Sequence, residues 1–454
     1  MRDTPPPSRR PRLRTLLREA PTTLAKLKDH APSAPGSWRS PVRGTWFTAV
    51  LGTVLLFGVT LLFVTGLLSY AAYNPGLAPV NDKTPDKGLL GLYLFAWPTD
   101  PHWLYRLTQG LHVTVGITLI PVLLAKLWSV LPKLFALPPA RSLGHALERL
   151  SLLLLVGGAL FVFATGVLNV QLEYVFPGSF YPLHFYGAWV FFAAFVAHAA
   201  LKLPQTVRVL RAGGLRERVR SHEGRGADGG SGRGPEGEDG LASPRPAEPT
   251  VSRRGALGLV GGGSLLLFAT TAGQSFDGWP RATALFAPHG GAEPGRGPGA
   301  FQINKTARSV GVGADRTGES WRLVVTGPGR TLRLTRADLL DLAQHGADLP
   351  IACVEGWSTS DQAWSGVRLR DLAALAGYED DAPGVLVESL QLRGSFRKAA
   401  LRDNQVRDAR SLLALRVNGA DLTPDHGYPA RVIVPAAPGV LNTKWVSRLT
   451  FGEL

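Results

Sequence analysis

The sequence predicts a two-part, multi-domain membrane protein. The first part is an all-α transmembrane four-helix bundle with a fifth anchor helix. The second is an α+β, mostly-β globular domain. Three observations carry this. The chain has 454 residues, too many for one small domain. Its apolar residues gather in five long runs, all before residue 275. Beyond residue 320 the texture changes to short alternating runs. The overall 45% hydrophobic content is ordinary and conceals this division.

Residues 1–45 are rich in Pro and Arg without a sustained period and read as a basic cytoplasmic tail. Residues 46–72 carry no charge and exceed the roughly 20 residues that cross a bilayer. Further runs cover 105–132, 149–170 and 184–209, completing a four-helix domain over 46–210. Residues 211–252 are a low-complexity linker too polar to fold alone. The fifth run, Gly255–Gly273, is short, Gly-rich and uncharged, and defines an anchor segment over 253–275. The extracytoplasmic domain then covers 276–454.

Lys and Arg crowd the N-terminal tail, the 133–149 loop and the 202–254 stretch. The 73–101 and 171–183 loops hold almost no Arg. The positive-inside rule puts the N-terminus in the cytoplasm, so five crossings put the C-terminal domain outside. The net charge of +15 therefore marks membrane topology and excludes a nucleic-acid surface. A single Cys excludes a disulfide scaffold, a Cys-type zinc site and a Cys-ligated iron–sulfur cluster. From 321 onward WRLVVTG, LRLT, VLVESLQLRG, LALRVNG and ARVIVPA read as strands, with ADLLDLAQ and RLRDLAALAG as short helices between them.

Ionisable residues inside spans default to functional hypotheses. His184 and His198 lie fourteen residues apart on the fourth span, nearly on one face and about 21 Å apart along the axis. His112 lies near the outer end of the second span, at a depth comparable with His184. Such a pair can clamp a haem iron between imidazoles. The plainer reading is interhelical hydrogen bonding. Gly116, Gly166 and Gly187 either admit a flat macrocycle or pack helices. His102 and His145, at span edges, read as surface residues.

HVTVGITLIPVLLAKLW and HFYGAWVFFAAFVAHAALKL resemble the second and fourth spans of the bacterial four-helix cytochrome b561 / formate dehydrogenase γ-subunit group. That resemblance implies an outer b-type haem on His112 and His184. It implies His198 as one ligand of an inner haem, but the first span offers no His to complete that pair. It also implies quinone or quinol as the electron partner.

Cys353, in LPIACVEGWS, admits three readings: a small buried hydrophobe, a nucleophile, or a thiolate metal ligand. CVEGWS, WSGVRLRDLAALAG and LALRVNGADLTPDHGYPARVIVPAAPGVLNTKWVSRL occur in that order over about 300–454. They resemble the molybdopterin domain of the sulfite oxidase superfamily, which includes periplasmic methionine-sulfoxide reductase subunits. The resemblance implies Cys353 as catalytic molybdenum ligand. It further implies that Asn304, Ser389, His426, Arg431, Asn442, Thr443 and Lys444 hold the pterin and its phosphate. An anionic phosphate suits Arg, Lys and backbone donors. Taken singly, Arg431 and Lys444 read equally as strand charges and residues 427–429 as a turn. Arg393, Arg397 and Arg402 either attract an oxyanion substrate or are solvated.

Ser252-Arg253-Arg254-Gly255-Ala256-Leu257 looks like an internal twin-arginine signal, which would engage folded-protein export machinery. Positive-inside anchoring explains the same pair. The expectation is thus a multi-pass enzyme of the bacterial plasma membrane. It would hold Mo-molybdopterin and haem b, act on a small oxyanion or an S- or N-oxide, and exchange electrons with quinone. The competing readings are a haem-only quinone oxidoreductase and an anchored binding module, each with a degenerate outer domain.

Overall fold

The computed structural model describes residues 42–77, 95–134, 142–170, 175–176, 180–212, 251–276, 278–288, 297–379, 381–394 and 396–454. The basic tail before residue 42 and the linker over 213–250 lie outside the described residues.

Helices α1 (Thr45–Ala72), α4 (Leu143–Asn169), α5 (Tyr181–Ala212) and α6 (Arg253–Ala269) follow the apolar runs. Among the described residues four helices are long and apolar enough to cross a membrane, or five if one bent pair forms a single span. The second run differs from expectation. It is not one continuous helix but α2 (Leu104–Thr118) and α3 (Ile120–Leu134), bent by 41°. Pro121 explains the break, because it has no N–H to offer the preceding turn and its ring crowds that turn's carbonyl.

The chain divides into two compact units. One holds residues up to 56, 121–159 and 190–263. Within it Arg43 stacks on Trp128, with 4.2 Å from its guanidinium carbon to the ring centroid. Thr48 hydroxyl donates to Ser129 at 3.1 Å, and Lys126 Nζ donates to the Thr48 carbonyl.

The other unit holds 57–120, 160–189 and 264–454. Its globular part contains two five-stranded sheets. The first runs β2 (Arg330–Leu334), β1 (Leu323–Gly327), β10 (Val446–Phe451), β5 (Val385–Ser389), β6 (Lys398–Leu401). Only β1 and β10 pair in parallel there. The second is antiparallel and runs β3 (His345–Leu349), β4 (Gln362–Arg368), β7 (Leu412–Val417), β8 (Ala420–Asp421), with β9 (Arg431–Ile433) also on β7. Val and Leu at alternate positions of β1, β5 and β10 bury one face into a common core with Val367, Leu413 and Val432.

Short helices close the core. The capping box Thr335–Asp338 starts α7 (Arg336–Asp341), and α8 (Leu369–Leu375) buries Leu369, Leu372 and Ala373. A third, α9 (Asp403–Arg407), buries Val406. Asn418 and Gly419, both at positive φ, turn β7 into β8 as such pairs do in tight hairpins.

The same unit takes in the ends of α1 and α2. Trp97, fully buried, donates its indole N–H to the Ala436 carbonyl at 2.7 Å. Asn404 donates to the Trp97 carbonyl, and buried Asn74 donates to Ala400 and Gln405. Ala71, Ala72, Tyr73 and Tyr105 share a buried cluster with Ala352. Thus the described ends of the connection between α1 and α2, at Asn74 and Trp97, are laced into the globular part.

Candidate active site

The site is built on two segments distant in sequence. The first is the Cys353 turn, between β3 and β4. Its strands are zipped by Thr359 N–H to Ile351 carbonyl at 2.9 Å and Cys353 N–H to Trp357 carbonyl at 2.8 Å. Gly356 N–H closes the turn on the Cys353 carbonyl at 3.1 Å. The backbone there sits at φ +94°, which favours glycine. The second segment is Gly439–Lys444. Gly439 N–H donates to the Ala352 carbonyl at 2.7 Å and ties the segments together.

Between them opens a cleft that is continuous with solvent. Asn304, His426, Arg431, Asn442, Thr443 and Lys444 all line it, with Lys305, Ile351 and Trp357. Six of the eight expected residues therefore converge. Cys353 lies in the turn whose flanking Ile351 and Trp357 form that wall. Ser389 does not line the cleft. Its hydroxyl donates to the Lys444 carbonyl at 2.7 Å, so it props the segment from behind. Arg393 and Arg397 are exposed, and Phe396 between them lines the cleft. Arg402 is half-buried at the start of α9, outside the cleft lining.

The cleft is basic and under-satisfied. Arg431, 3% exposed, donates to the carbonyls of His426 and Asn442, both at 3.1 Å. Among the described residues its Nε has no partner, nor do Asn442 Nδ2 and Thr443 Oγ1. Burial pushes the Arg431 guanidinium down to about 9 and, aided by Arg431, lowers Lys444 well below the usual amine range. Both shifts come first from the burial of positive charge, and Arg431 adds repulsion at Lys444. Asp425 offsets the Lys444 shift only in part, and its carboxylate accepts from Ala307 N–H at 2.8 Å. His426 is held neutral, near 4, by burial and by Arg431. Its Nδ1 sits 2.7 Å from Thr423 hydroxyl. Buried orphan donors of this kind need a ligand to explain them. An anionic pterin phosphate fits the donor set.

Cys353 Sγ lies 3.6 Å from Glu355 Oε2, which also accepts from Trp357 indole at 2.9 Å. Burial and Glu355 push the thiol well above its ordinary range. A thiolate in this place needs a positive centre opposite it, and a metal supplies that.

The turn is gripped by α2. Gln109 donates to the Val354 carbonyl. Ser275 hydroxyl donates to the Gly356 carbonyl at 2.9 Å. A Cβ on Gly356 would stand 2.7 Å from Val113 Cβ, and Val113 follows His112.

Residues 311–453 match the family described as oxidoreductase molybdopterin binding domain. The C-terminal part of this chain is a sulfite-oxidase-like molybdopterin-binding domain. An uncharacterized oxidoreductase, YuiH, of Bacillus subtilis (strain 168) is 33% identical over 132 residues, covering 29% of this chain and 65% of that protein. Mitochondrial sulfite oxidase of Mus musculus is 32% identical over 157 residues, covering 29% of each chain. This chain thus spans less than two thirds of either relative. The sulfane dehydrogenase SoxCD of Paracoccus pantotrophus aligns at 25% identity over 30% of this chain and 39% of its own, with a TM-score of 0.27, too low to bear on the fold. All these matches concern the molybdopterin-binding domain or a stretch of its size, and the helical region rests on its own geometry.

In that region His112 and His184 come together, with ring centroids 6.1 Å apart and ring planes at 88°. A metal bonded to one nitrogen of each ring from opposite sides needs about 2 Å per bond and about 1 Å more to each ring centre, close to this separation. His198 is half-exposed on α5 in the other unit. His102 is more than a surface residue: its ring lies 3.4 Å from Asp361 and its carbonyl accepts from Ala436 N–H. Among residues the motifs did not single out are Gln109, Gln274, Glu355 and Trp357. Gln274 is fully buried beside Gly356, and neither of its amide atoms has a partner among the described residues.

Proposed function

We propose that the chain is a membrane-bound molybdenum oxidoreductase that joins its catalytic site to a b-type haem in one polypeptide. The single observation carrying this is the seating of the Cys353 turn on α2, the helix that bears His112. When bound, molybdopterin supplies a metal that exchanges an oxygen atom and two electrons with substrate. Cys353 is the protein ligand to that metal, and the Glu355 carboxylate lies 3.6 Å from its sulfur. Arg431, Lys444, Asn442 and Thr443 fix the phosphate and pterin edge. Ser389 and Gly439 hold that segment against the Cys353 turn.

His112 and His184 hold haem b, and quinone is the two-electron partner. The overall balance is substrate plus water plus quinone giving oxidised substrate plus quinol, or its reverse. The substrate class is a small oxyanion or an S- or N-oxide. The membrane reading is supported by the many exposed apolar residues on α4, α5 and α6, including Leu150, Leu153, Leu201, Leu259 and Leu265. With basic residues marking the cytoplasmic side, the molybdopterin-binding domain faces the exterior of a bacterial plasma membrane.

The test is the Cys353→Ser variant of the full chain in detergent. It is expected to lose activity with a reduced-dye donor across a panel of oxyanions and S- and N-oxides, while its haem spectrum stays that of the wild type. Retained activity would reject Cys353 as the metal ligand.

A further inference from the structure

Helices α1 and α4 carry the same hexapeptide pattern one hundred residues apart: Phe63-Val-Thr65-Gly66-Leu-Leu and Phe163-Ala-Thr165-Gly166-Val-Leu. Each copy meets one of the paired histidines. Thr65 Oγ1 lies 3.0 Å from His112 Nδ1, and Thr165 Oγ1 lies 3.3 Å from His184 Nδ1. Each glycine leaves the room its ring occupies. A Cβ on Gly66 would stand 3.2 Å from His112 Cε1, and one on Gly166 3.1 Å from His184 Cε1.

The hydrogen bonding fixes the proton on each ring. Thr65 hydroxyl donates to the Leu61 carbonyl at 2.8 Å, and Thr165 hydroxyl to the Phe161 carbonyl at 2.8 Å. A hydroxyl has one proton. With it committed to the helix, each threonine presents a lone pair to its histidine. His184 Nδ1 is also 3.0 Å from the Val162 carbonyl, which can only accept. The Leu62 carbonyl hydrogen-bonds the His112 ring as well. Both Nδ1 atoms therefore carry the proton, and both Nε2 atoms keep their lone pairs. Two neutral imidazoles, each with its Nε2 lone pair available, at the 6.1 Å separation are poised for a cation between them.

We propose that Thr65–Gly66 and Thr165–Gly166 are matched positioning clamps, one per imidazole, that fix the tautomer and orientation in which His112 and His184 would hold haem iron. This rests on the haem reading above and deepens it. A partner that accepts from Nδ1–H makes the imidazole a stronger donor and favours ferric over ferrous iron. The pair would thus set the haem potential low from both sides.

The test uses the full-length holoprotein, purified in detergent, and reads haem per chain, the reduced-minus-oxidised spectrum and the midpoint potential. Thr65→Val and Thr165→Val keep the side-chain shape and remove the acceptor. The backbone carbonyls remain, so the expected loss lies at the lower end of the about 10- to 100-fold typical of outer-shell partners. If that tenfold falls on the ferric preference, the midpoint rises by about 59 mV for a one-electron couple. Thr65→Ser and Thr165→Ser should restore the wild-type potential. Thr53→Val is the control, because Thr53 makes the same back-bond to Ala49, at 2.9 Å, and meets no histidine among the described residues. Unchanged potential and haem content in both valine variants, or an equal shift in Thr53→Val, would overturn the clamps and leave the haem reading standing. Absence of b-type haem from the wild-type protein would overturn both.

Discussion

Replacing Gly356 with alanine is the sharpest test of how the catalytic turn is seated. Two costs combine at that position. The backbone sits at φ +94°, and an L side chain there costs about 1–2 kcal/mol. The added Cβ would also meet Val113 Cβ at 2.7 Å, Val113 Cγ2 at 2.9 Å and Gln274 Nε2 at 3.0 Å. Overpacking of this kind typically costs a further about 1–3 kcal/mol. Gly419→Ala separates the two, since Gly419 has φ +81° and open space where its Cβ would go. Gly419→Ala should therefore lose about 1–2 kcal/mol and Gly356→Ala about 2–5 kcal/mol. For a unit of this size each kcal/mol is worth about 2–4 °C in the unfolding midpoint. The assay is thermal unfolding of the detergent-solubilised chain, followed by tryptophan fluorescence, with molybdenum counted per chain. Gly356→Ala should melt earlier than Gly419→Ala and lose molybdenum, because the turn that holds Cys353 must shift. Equal midpoints and equal molybdenum in the two variants would refute the contact with α2.

Arg431→Met should lower molybdenum cofactor content about 10- to 100-fold, from loss of charge-assisted bonds worth about 1.5–3 kcal/mol, as read by metal analysis after dialysis. It also leaves the His426 and Asn442 carbonyls without their donor, so a drop in midpoint should accompany it. His426 is held near 4 when folded, below the usual imidazole value. Its folded-state preference for neutrality is therefore fully expressed above about pH 6.5 and is lost as pH falls towards 4. Unfolding midpoints measured from pH 8 to pH 4 should fall within that window, and His426→Gln should flatten the fall. Trp97→Ala should destabilise the unit by about 3–5 kcal/mol, since it empties a fully buried site and removes a donor from the Ala436 carbonyl.

Much of the fold was legible because it rests on local signals. Uncharged runs gave the long helices, and alternation gave β1, β2 and β7 within two residues, while the runs containing β5 and β9 overran them by five and three. The break at Pro121 was readable in principle from the missing donor, but the run's length concealed it. Strands β3, β4, β8 and β10 carry Gly, Asp, Gln or Arg at positions that interrupt a simple alternation, β6 is the non-alternating Lys-Ala-Ala-Leu, and only sheet pairing reveals them. The cleft residues span about 140 positions in the chain, and only their ordered motifs linked them. Ser389 shows the limit of that method: it belongs to a matched motif yet acts through the Lys444 carbonyl. The grip of Gln109, Val113 and Ser275 on the Cys353 turn joins segments far apart in sequence, so no local pattern announces it. The Thr-Gly repeat, by contrast, was present in the sequence. Its meaning needed the histidines placed beside it.

The account's central claim is that one polypeptide carries both a molybdenum site and a b-type haem. Metal analysis of the purified full-length chain, together with its dithionite-reduced-minus-oxidised spectrum, tests this most directly. The account predicts one molybdenum per chain and the spectrum of a low-spin b-type haem that disappears in His112→Ala and in His184→Ala. Haem without molybdenum, molybdenum without haem, or a full haem spectrum in both histidine variants would contradict it.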